Sequence, residues 1–61
     1  MKIHIKKIRL NLGLTQEKFA EKVGISLRYL QNIEGGDSIP RLQKLAQIAT
    51  TLNISIHDLI D

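Results

Sequence analysis

The chain has no cysteine, which excludes a disulfide framework and a thiolate-held metal, two of the usual staples of small domains. That absence fits a reducing, cytoplasmic compartment. Nowhere does the sequence run through about 18 apolar residues in succession, so no membrane span is expected. The opening MKIHIKKIRLNLGL scatters basic residues among apolar ones and has no uninterrupted hydrophobic stretch with a cleavage site, so no secretory signal is expected either. Repeats and low-complexity segments are missing as well. What is there is ordinary for a folded domain: 43% hydrophobic and 25% charged residues, too apolar for intrinsic disorder. Sixty-one residues make one small domain that buries only about 60% of its unfolded surface, a size at which a dimer mate would help.

Charge is unevenly placed. Residues 1–28 carry seven Lys or Arg against two Glu, a balance of +5, and residues 29–61 carry two against four, a balance of −2, which together give the net +3. A basic half of this kind favours an anionic partner, nucleic acid or an acidic membrane surface, although solubility alone also accounts for a small net charge.

Ile5, Ile8 and Leu12 fall at i, i+3 and i+7, which predicts a first helix within residues 2–12, with Lys2, Lys6 and Arg9 among its polar remainder. MKIHI also alternates apolar and polar like a short strand. Asn11 and Gly13 supply a stop. Thr15 is an N-cap for a second helix over about Gln16 to Val23, where Phe19, Ala20 and Val23 share a face and Ala20 is small enough for another helix to pass close. Gly24 ends it where a left-handed backbone is needed. Ile25 and the N-cap Ser26 then lead into a third helix over about Leu27 to Glu34. Two helices joined so briefly through a glycine are the arrangement of a helix-turn-helix.

Gly35-Gly36-Asp37-Ser38 is turn chemistry, and Pro40 suits the first turn of a fourth helix. Leu42, Leu45, Ala46, Ile48, Ala49 and Leu52 give that helix a wide apolar stripe. Asn53 takes its left-handed C-terminal position, and Ser55 with Asp58 forms a capping box for a last helix reaching about Ile60. The fold class is therefore all-α: five helices and no strand.

On a wheel of the third helix Leu30 and Ile33 centre the buried face, and Arg28, Gln31 and Asn32 lie opposite. Leu27 falls about 90° from the core centre, Tyr29 and Glu34 about 70°. The outward triad carries donors suited to base edges, since Arg forks onto guanine and Asn pairs with adenine. Polar residues on an outer helix face are the norm, but these follow directly on a glycine turn, at the end of a helix that would enter the major groove. Leu27 is either a minor packing contact or a contact to a thymine methyl.

Other chemistry is weaker. His57-Asp58 lacks a nucleophile and a pocket and reads as capping. His4, His57 and Asp61 lack metal-ligand spacing, and Gly35-Gly36 lacks the lysine and strand of a phosphate-binding loop. Lys2, Lys6, Lys7 and Arg9 against Ile3, Ile5 and Ile8 would suit an anionic membrane, but the apolar face is needed for the core.

The runs IKKIR, GLTQEKFAEKVGIS, YLQNIEGG and LQKLAQIATTLNIS followed by HDLI resemble the lambda-repressor and Cro type of helix-turn-helix domain, a class of bacterial and phage regulators, over essentially the whole chain. The specific signal is Gly13-Leu14-Thr15-Gln16, Ala20, Gly24, Ile33-Glu34 and Pro40 in this order and spacing. The resemblance implies a compact five-helix DNA-binding domain over residues 1–61. It implies that Ser26, Leu27, Arg28 and Asn32 face the bases, that Gln16 touches a phosphate or braces the recognition helix, that Tyr29 reaches a phosphate or packs at the flank, and that Arg9 and Glu34 form a structural pair. Gln31 joins the bracing or phosphate-contacting set. Many relatives have Lys or Arg after the third helix where this chain has Gly35-Gly36-Asp37, so phosphate gripping there falls to backbone N–H groups and Arg41. The expected function is a sequence-specific transcriptional regulator of double-stranded DNA, a repressor or an activator, acting as a homodimer on a palindromic site. It would need no catalysis, cofactor, metal, membrane or small-molecule ligand. Ile39, Ile56 and Ile60 are the candidate dimer surface. A protein-interaction adaptor or antitoxin-type module built on the same fold is the alternative.

Overall fold

The computed structural model describes residues 2–61; Met1, and with it the first step of the MKIHI alternation, lies outside the described residues. Five helices follow in order: α1 Ile5–Asn11, α2 Gln16–Val23, α3 Leu27–Gly35, α4 Leu42–Leu52 and α5 Ile56–Leu59. None among the described residues is long and apolar enough to cross a membrane.

The helices α2, α3 and α5 start on a side-chain cap. Thr15 accepts a hydrogen bond from the Lys18 N–H at 3.1 Å and Ser26 from the Tyr29 N–H at 3.0 Å, satisfying donors that have no partner within the helix. At α5 the Ser55 hydroxyl accepts from the His57 N–H while the Asp58 carboxylate accepts from the Ser55 N–H at 3.2 Å, a capping box. The four longer helices end alike, with a left-handed residue at Gly13, Gly24, Gly36 or Asn53. The residue after each donates back to a carbonyl of the last turn: Leu14 to Arg9, Ile25 to Ala20, Asp37 to Asn32 and Ile54 to Ala49, at 2.8 to 3.2 Å.

The core takes side chains from all five helices: Ile5; Phe19, Ala20 and Val23; Leu30 and Ile33; Leu45, Ile48 and Ala49; and Leu59. Burying each large apolar side chain contributes about 1.5–3 kcal/mol before chain entropy is set against it. α2 packs on α3 and α4, α4 on α5, and α1 on α3, so α3 is held by both α1 and α2.

Several expectations need correction. Leu12 caps α1 outside the core and is exposed, because the chain has already left the helix. Arg9, assigned to the polar remainder of α1, is buried; it lies four residues after Ile5 and so shares its face. Pro40 is not in the first turn of α4: that helix begins at Leu42 with Arg41 as its N-cap, and Pro40 sits buried one residue earlier, fixing the entry of the chain through its locked φ. Leu42 and Ala46 are exposed. Leu42 projects from the very start of α4, and Ala46 is turned about 100° from Leu45 on a stripe that continues through Ile48, Ala49 and Leu52. Of the three candidate dimer residues, Ile56 and Ile60 pack partly against the chain's own core and Ile39 is 75% exposed.

The strand-like alternation before α1 also has a counterpart. Ile3 and Ile60 form an isolated antiparallel bridge, with the His4 N–H donating to the Leu59 carbonyl at 2.7 Å and the Asp61 N–H to the Lys2 carbonyl at 3.1 Å. The two ends of the described chain are thus clasped together.

Candidate nucleic-acid interface

The placement of α3 follows from three residues. Gly24, at φ 76° and ψ 32°, reverses the chain at a conformation that costs an L-residue about 1–2 kcal/mol. Ile25 packs against the core and sets the angle at which the chain leaves α2. Ser26 then caps α3. With Leu30 and Ile33 buried, the opposite side of α3 is presented outward: Ser26, Arg28 and Gln31 are exposed, Asn32 and Tyr29 are half-buried, and Leu27 is 37% exposed. The Ser26 hydroxyl accepts from the helix and still has its own proton to donate outward. Leu27, at the edge of the wheel, is neither core nor fully free.

The far end of α3 is held by an ion pair. Arg9 Nε donates to Glu34 Oε2 at 2.7 Å and Nη2 to Oε1 at 3.0 Å, a two-pronged contact with both side chains nearly buried, 10% and 5% exposed. Arg9 Nη1 donates to the Leu14 carbonyl at 3.0 Å, and Gln16 Nε2 donates to Glu34 Oε1 at 3.1 Å. Burial pushes the Glu34 carboxyl up. The hydrogen bonds from Arg9 and Gln16 and the charges of Arg9 and Lys6 outweigh it and hold the carboxyl below the ordinary glutamate range. The Arg9 guanidinium is raised in turn, chiefly by its hydrogen bond to Glu34. Glu34 is therefore an ionised acceptor with its oxygens committed. Gln16 has a second partner, since Gln31 Nε2 lies 3.5 Å from its Oε1.

Tyr29 and Arg41 are brought together where α3 faces the start of α4. They line a cleft of about 450 Å³ with Ile39, Gln43, Lys44 and Gln47. Lys44 Nζ donates to Gln47 Oε1 at 2.9 Å. Gln43, Lys44 and Gln47 had no place among the expected site residues. Their signal is spacing, since positions 43, 44 and 47 share one polar face of α4. The cleft holds two cations, two amides and a phenol, groups that bind an anion through charge and hydrogen bonds.

The remaining polar pairs are local. Asp58 is used in the α5 cap, and His4 Nε2 meets Asp61 Oδ1 at 2.9 Å across the terminal clasp. No three His, Asp or Glu side chains converge among the described residues.

This geometry has relatives. The helix-turn-helix family pattern matches residues 5–59. The cryptic phage CTXphi transcriptional repressor RstR of Vibrio cholerae is 37% identical over 51 residues, covering 84% of this chain and 46% of RstR. The HTH-type transcriptional regulator SinR of Bacillus subtilis is 34% identical over 58 residues, 93% of this chain and 52% of SinR. The chain thus spans about half the length of these two relatives. A shorter relative, the uncharacterized HTH-type transcriptional regulator YazB of Bacillus subtilis, is 40% identical over 55 residues, 90% of this chain and 80% of YazB. Since the match runs from the first helix to the last and takes in the capped pair α2–α3, the chain belongs to the lambda-repressor and Cro type of helix-turn-helix family.

Proposed function

We propose that residues 1–61 are a sequence-specific DNA-binding domain of a transcriptional regulator, with α3 seated in the major groove. The observation that carries the reading is the strip Ser26, Leu27, Arg28, Gln31 and Asn32, presented on a helix whose other face is locked into the core. Family membership and the similarity to the transcriptional repressor RstR and the transcriptional regulator SinR support it. A helix fits the groove, about 12 Å wide. Arg28 suits a guanine and Asn32 an adenine; Ser26 contributes a hydroxyl proton, and Leu27 an apolar contact to a thymine methyl. Gln16, through its second Nε2 proton, and Tyr29, Arg41 and Lys44, around their cleft, take the phosphates on either side and fix the register.

The same reading makes the protein a cytoplasmic homodimer whose two α3 helices lie about 34 Å apart, one turn of duplex, on a palindromic site. Ile39 is available for that contact. Occlusion of a promoter or recruitment of polymerase would follow from where the site lies, and neither requires catalysis or a cofactor.

Selection of bound duplexes from a random pool tests the reading, paired with a salt series on the enriched sequence. A dimer neutralising about six phosphates should show a log–log salt slope near −5. A pool without enrichment, or binding indifferent to salt, would overturn it.

A further inference from the structure

The first helix turns Ile5 and Arg9 inward, to the core and to Glu34. Leu10 and Lys7 lie about 140° and 160° around α1 from Ile5. Both are exposed, Leu10 at 57%. With Ile3, His4, Lys6 and Asn11 they line an open groove of about 440 Å³. Its shape is held from outside α1: Ile3 is bridged to Ile60, the His4 N–H donates to the Leu59 carbonyl, and the His4 ring meets Asp61 Oδ1 at 2.9 Å. Leu10 falls between Lys6 and Lys7 on the helical wheel, so an apolar floor is flanked by two ammonium groups.

Those charges have no counterpart on the same face. No acidic residue occurs in α1, and the ion pairs among the described residues are His4 with Asp61 and Arg9 with Glu34. Of the chain's six carboxylates none lines the groove: Glu34 is committed to Arg9 and Gln16, Asp58 to the α5 cap and Asp61 to His4, while Glu17, Glu21 and Asp37 stand on α2 and in the loop after α3. A groove with an apolar floor and a basic rim complements a ligand that is apolar at its centre and acidic at its edges. Nucleic acid meets the rim and leaves Ile3 and Leu10 without a partner, since its backbone is recognised by charge and N–H donors. A membrane gains too little: α1 has seven residues, with Ile5 buried and Ile8 half-buried. A second copy laid face to face would set Lys6 and Lys7 against their own duplicates.

We propose that this groove docks a short acidic segment of another protein, which seats an apolar side chain on Ile3 and Leu10 and sets carboxylates against Lys6 and Lys7. Such a contact is small and therefore transient. The inference goes beyond the DNA-binding reading and does not depend on it. None of Ser26, Leu27, Arg28, Gln31 and Asn32 lines the groove, so the segment and a duplex can be held at once.

The test begins with selection of peptides from a random displayed library on the whole domain. The enriched sequences should combine Asp or Glu with a large apolar residue. A synthetic copy of the most enriched one, labelled for fluorescence anisotropy, is then titrated with the parent, Leu10→Ala and the double variant Lys6→Gln with Lys7→Gln, each fold checked by its melting curve. Leu10→Ala should weaken peptide binding by about tenfold and leave the melt unchanged. The double glutamine variant should weaken it comparably and flatten its salt dependence. Backbone amide shifts on adding peptide should centre on residues 3–11, and the duplex enriched by the parent should not displace the peptide.

A library without acidic enrichment, or peptide binding indifferent to Leu10→Ala, would overturn the proposal. Displacement of the peptide by the duplex would show that the groove belongs to the DNA surface, and would overturn it too. So would binding to phosphatidylserine vesicles, or self-association of the parent, that Leu10→Ala abolishes, since either would give the groove a different occupant. Failure of the duplex selection alone would overturn the DNA-binding reading and leave the peptide measurements to decide this one.

Discussion

Replacing Glu34 by alanine removes three hydrogen bonds at once: those from Arg9 Nε at 2.7 Å, Arg9 Nη2 at 3.0 Å and Gln16 Nε2 at 3.1 Å. It leaves a guanidinium that is 10% exposed with the Leu14 carbonyl as its remaining acceptor. Arginine cannot shed its proton to escape burial. The loss should therefore be that of a broken buried pair, about 3–5 kcal/mol. A domain of this length has only about 3–9 kcal/mol of stability in total, and each kcal/mol moves the midpoint of a 60–100-residue domain by about 4–8 °C. A thermal melt followed by far-UV circular dichroism should thus fall by at least about 12 °C. Arg9→Ala should behave differently. It strands a carboxylate, which can take up a proton and become neutral, so the stability of Arg9→Ala itself should rise as pH falls, whereas Glu34→Ala has no carboxyl there to titrate and shows no such rise. The double variant Arg9→Met with Glu34→Leu removes both charges and should lie closer to the parent than either single alanine variant. A Glu34→Ala midpoint within about 4 °C of the parent would refute the argument.

Three further outcomes are expected. Because the Glu34 carboxyl is held below its ordinary value, its contribution to stability is complete above about pH 4.3 and is lost as pH falls through the lowered folded value; urea titrations should show this acid slope in the parent and a shallower one in Glu34→Gln. Gly24→Ala should destabilise by about 1–2 kcal/mol, all of it backbone strain at φ 76°, since nothing lies within 4 Å of the added Cβ. Gly35→Ala, in ordinary helical backbone with Asp37 Oδ2 at 3.7 Å, should instead stabilise by about 0.5–1 kcal/mol, so a destabilised melt there would count against the assignment. Arg28→Ala should leave the melt unchanged, weaken binding to the best duplex by about 1–3 kcal/mol and relax one base pair of the selected consensus; an unaltered consensus would remove Arg28 from the reading set.

The features legible in the sequence are those decided within a turn or two of chain. Thr15 and Ser26 stand where a hydroxyl cap is needed, Gly24 and Asn53 where the backbone turns left-handed, and Ser55 with Asp58 at capping-box spacing. The faces of α2 and α3 follow from periodicity for the same reason. What escaped is tertiary. A helical wheel scores Arg9 as polar and turns it outward, because the residue that makes its burial tolerable lies 25 positions away; only the family resemblance pointed to Glu34. The bridge between Ile3 and Ile60 joins the two ends of the chain, beyond any local rule. The link from Gln16 to Gln31 and the cleft that gathers Lys44 and Gln47 beside Tyr29 exist only once the helices are packed. Pro40 was displaced by two residues from its expected position, an error typical of helix boundaries read from one residue's preference.

Stability alone does not account for the Arg9–Glu34 pair, since apolar residues of similar volume commonly do as well in a buried position. What apolar contact lacks is direction. Area burial changes little when a helix rolls a few degrees about its axis, whereas two parallel hydrogen bonds at 2.7 and 3.0 Å stretch or bend at once. Side chains of α3 reach about 5–6 Å from the helix axis, so a roll of about 20° carries one by about 2 Å, more than a hydrogen bond to a base edge tolerates. Arg9 is itself tied to the Leu14 carbonyl, just ahead of α2, so the fork orients α3 relative to the helix that carries Gln16. At the other end the roll is limited by the Gly24 turn, the partly buried Ile25 contact and the Ser26 cap. Both ends of α3 are therefore constrained by directional bonds or a fixed backbone conformation, and the strip between them can present its hydrogen-bonding groups at constant angles on a core too small to hold a helix rigid by area alone.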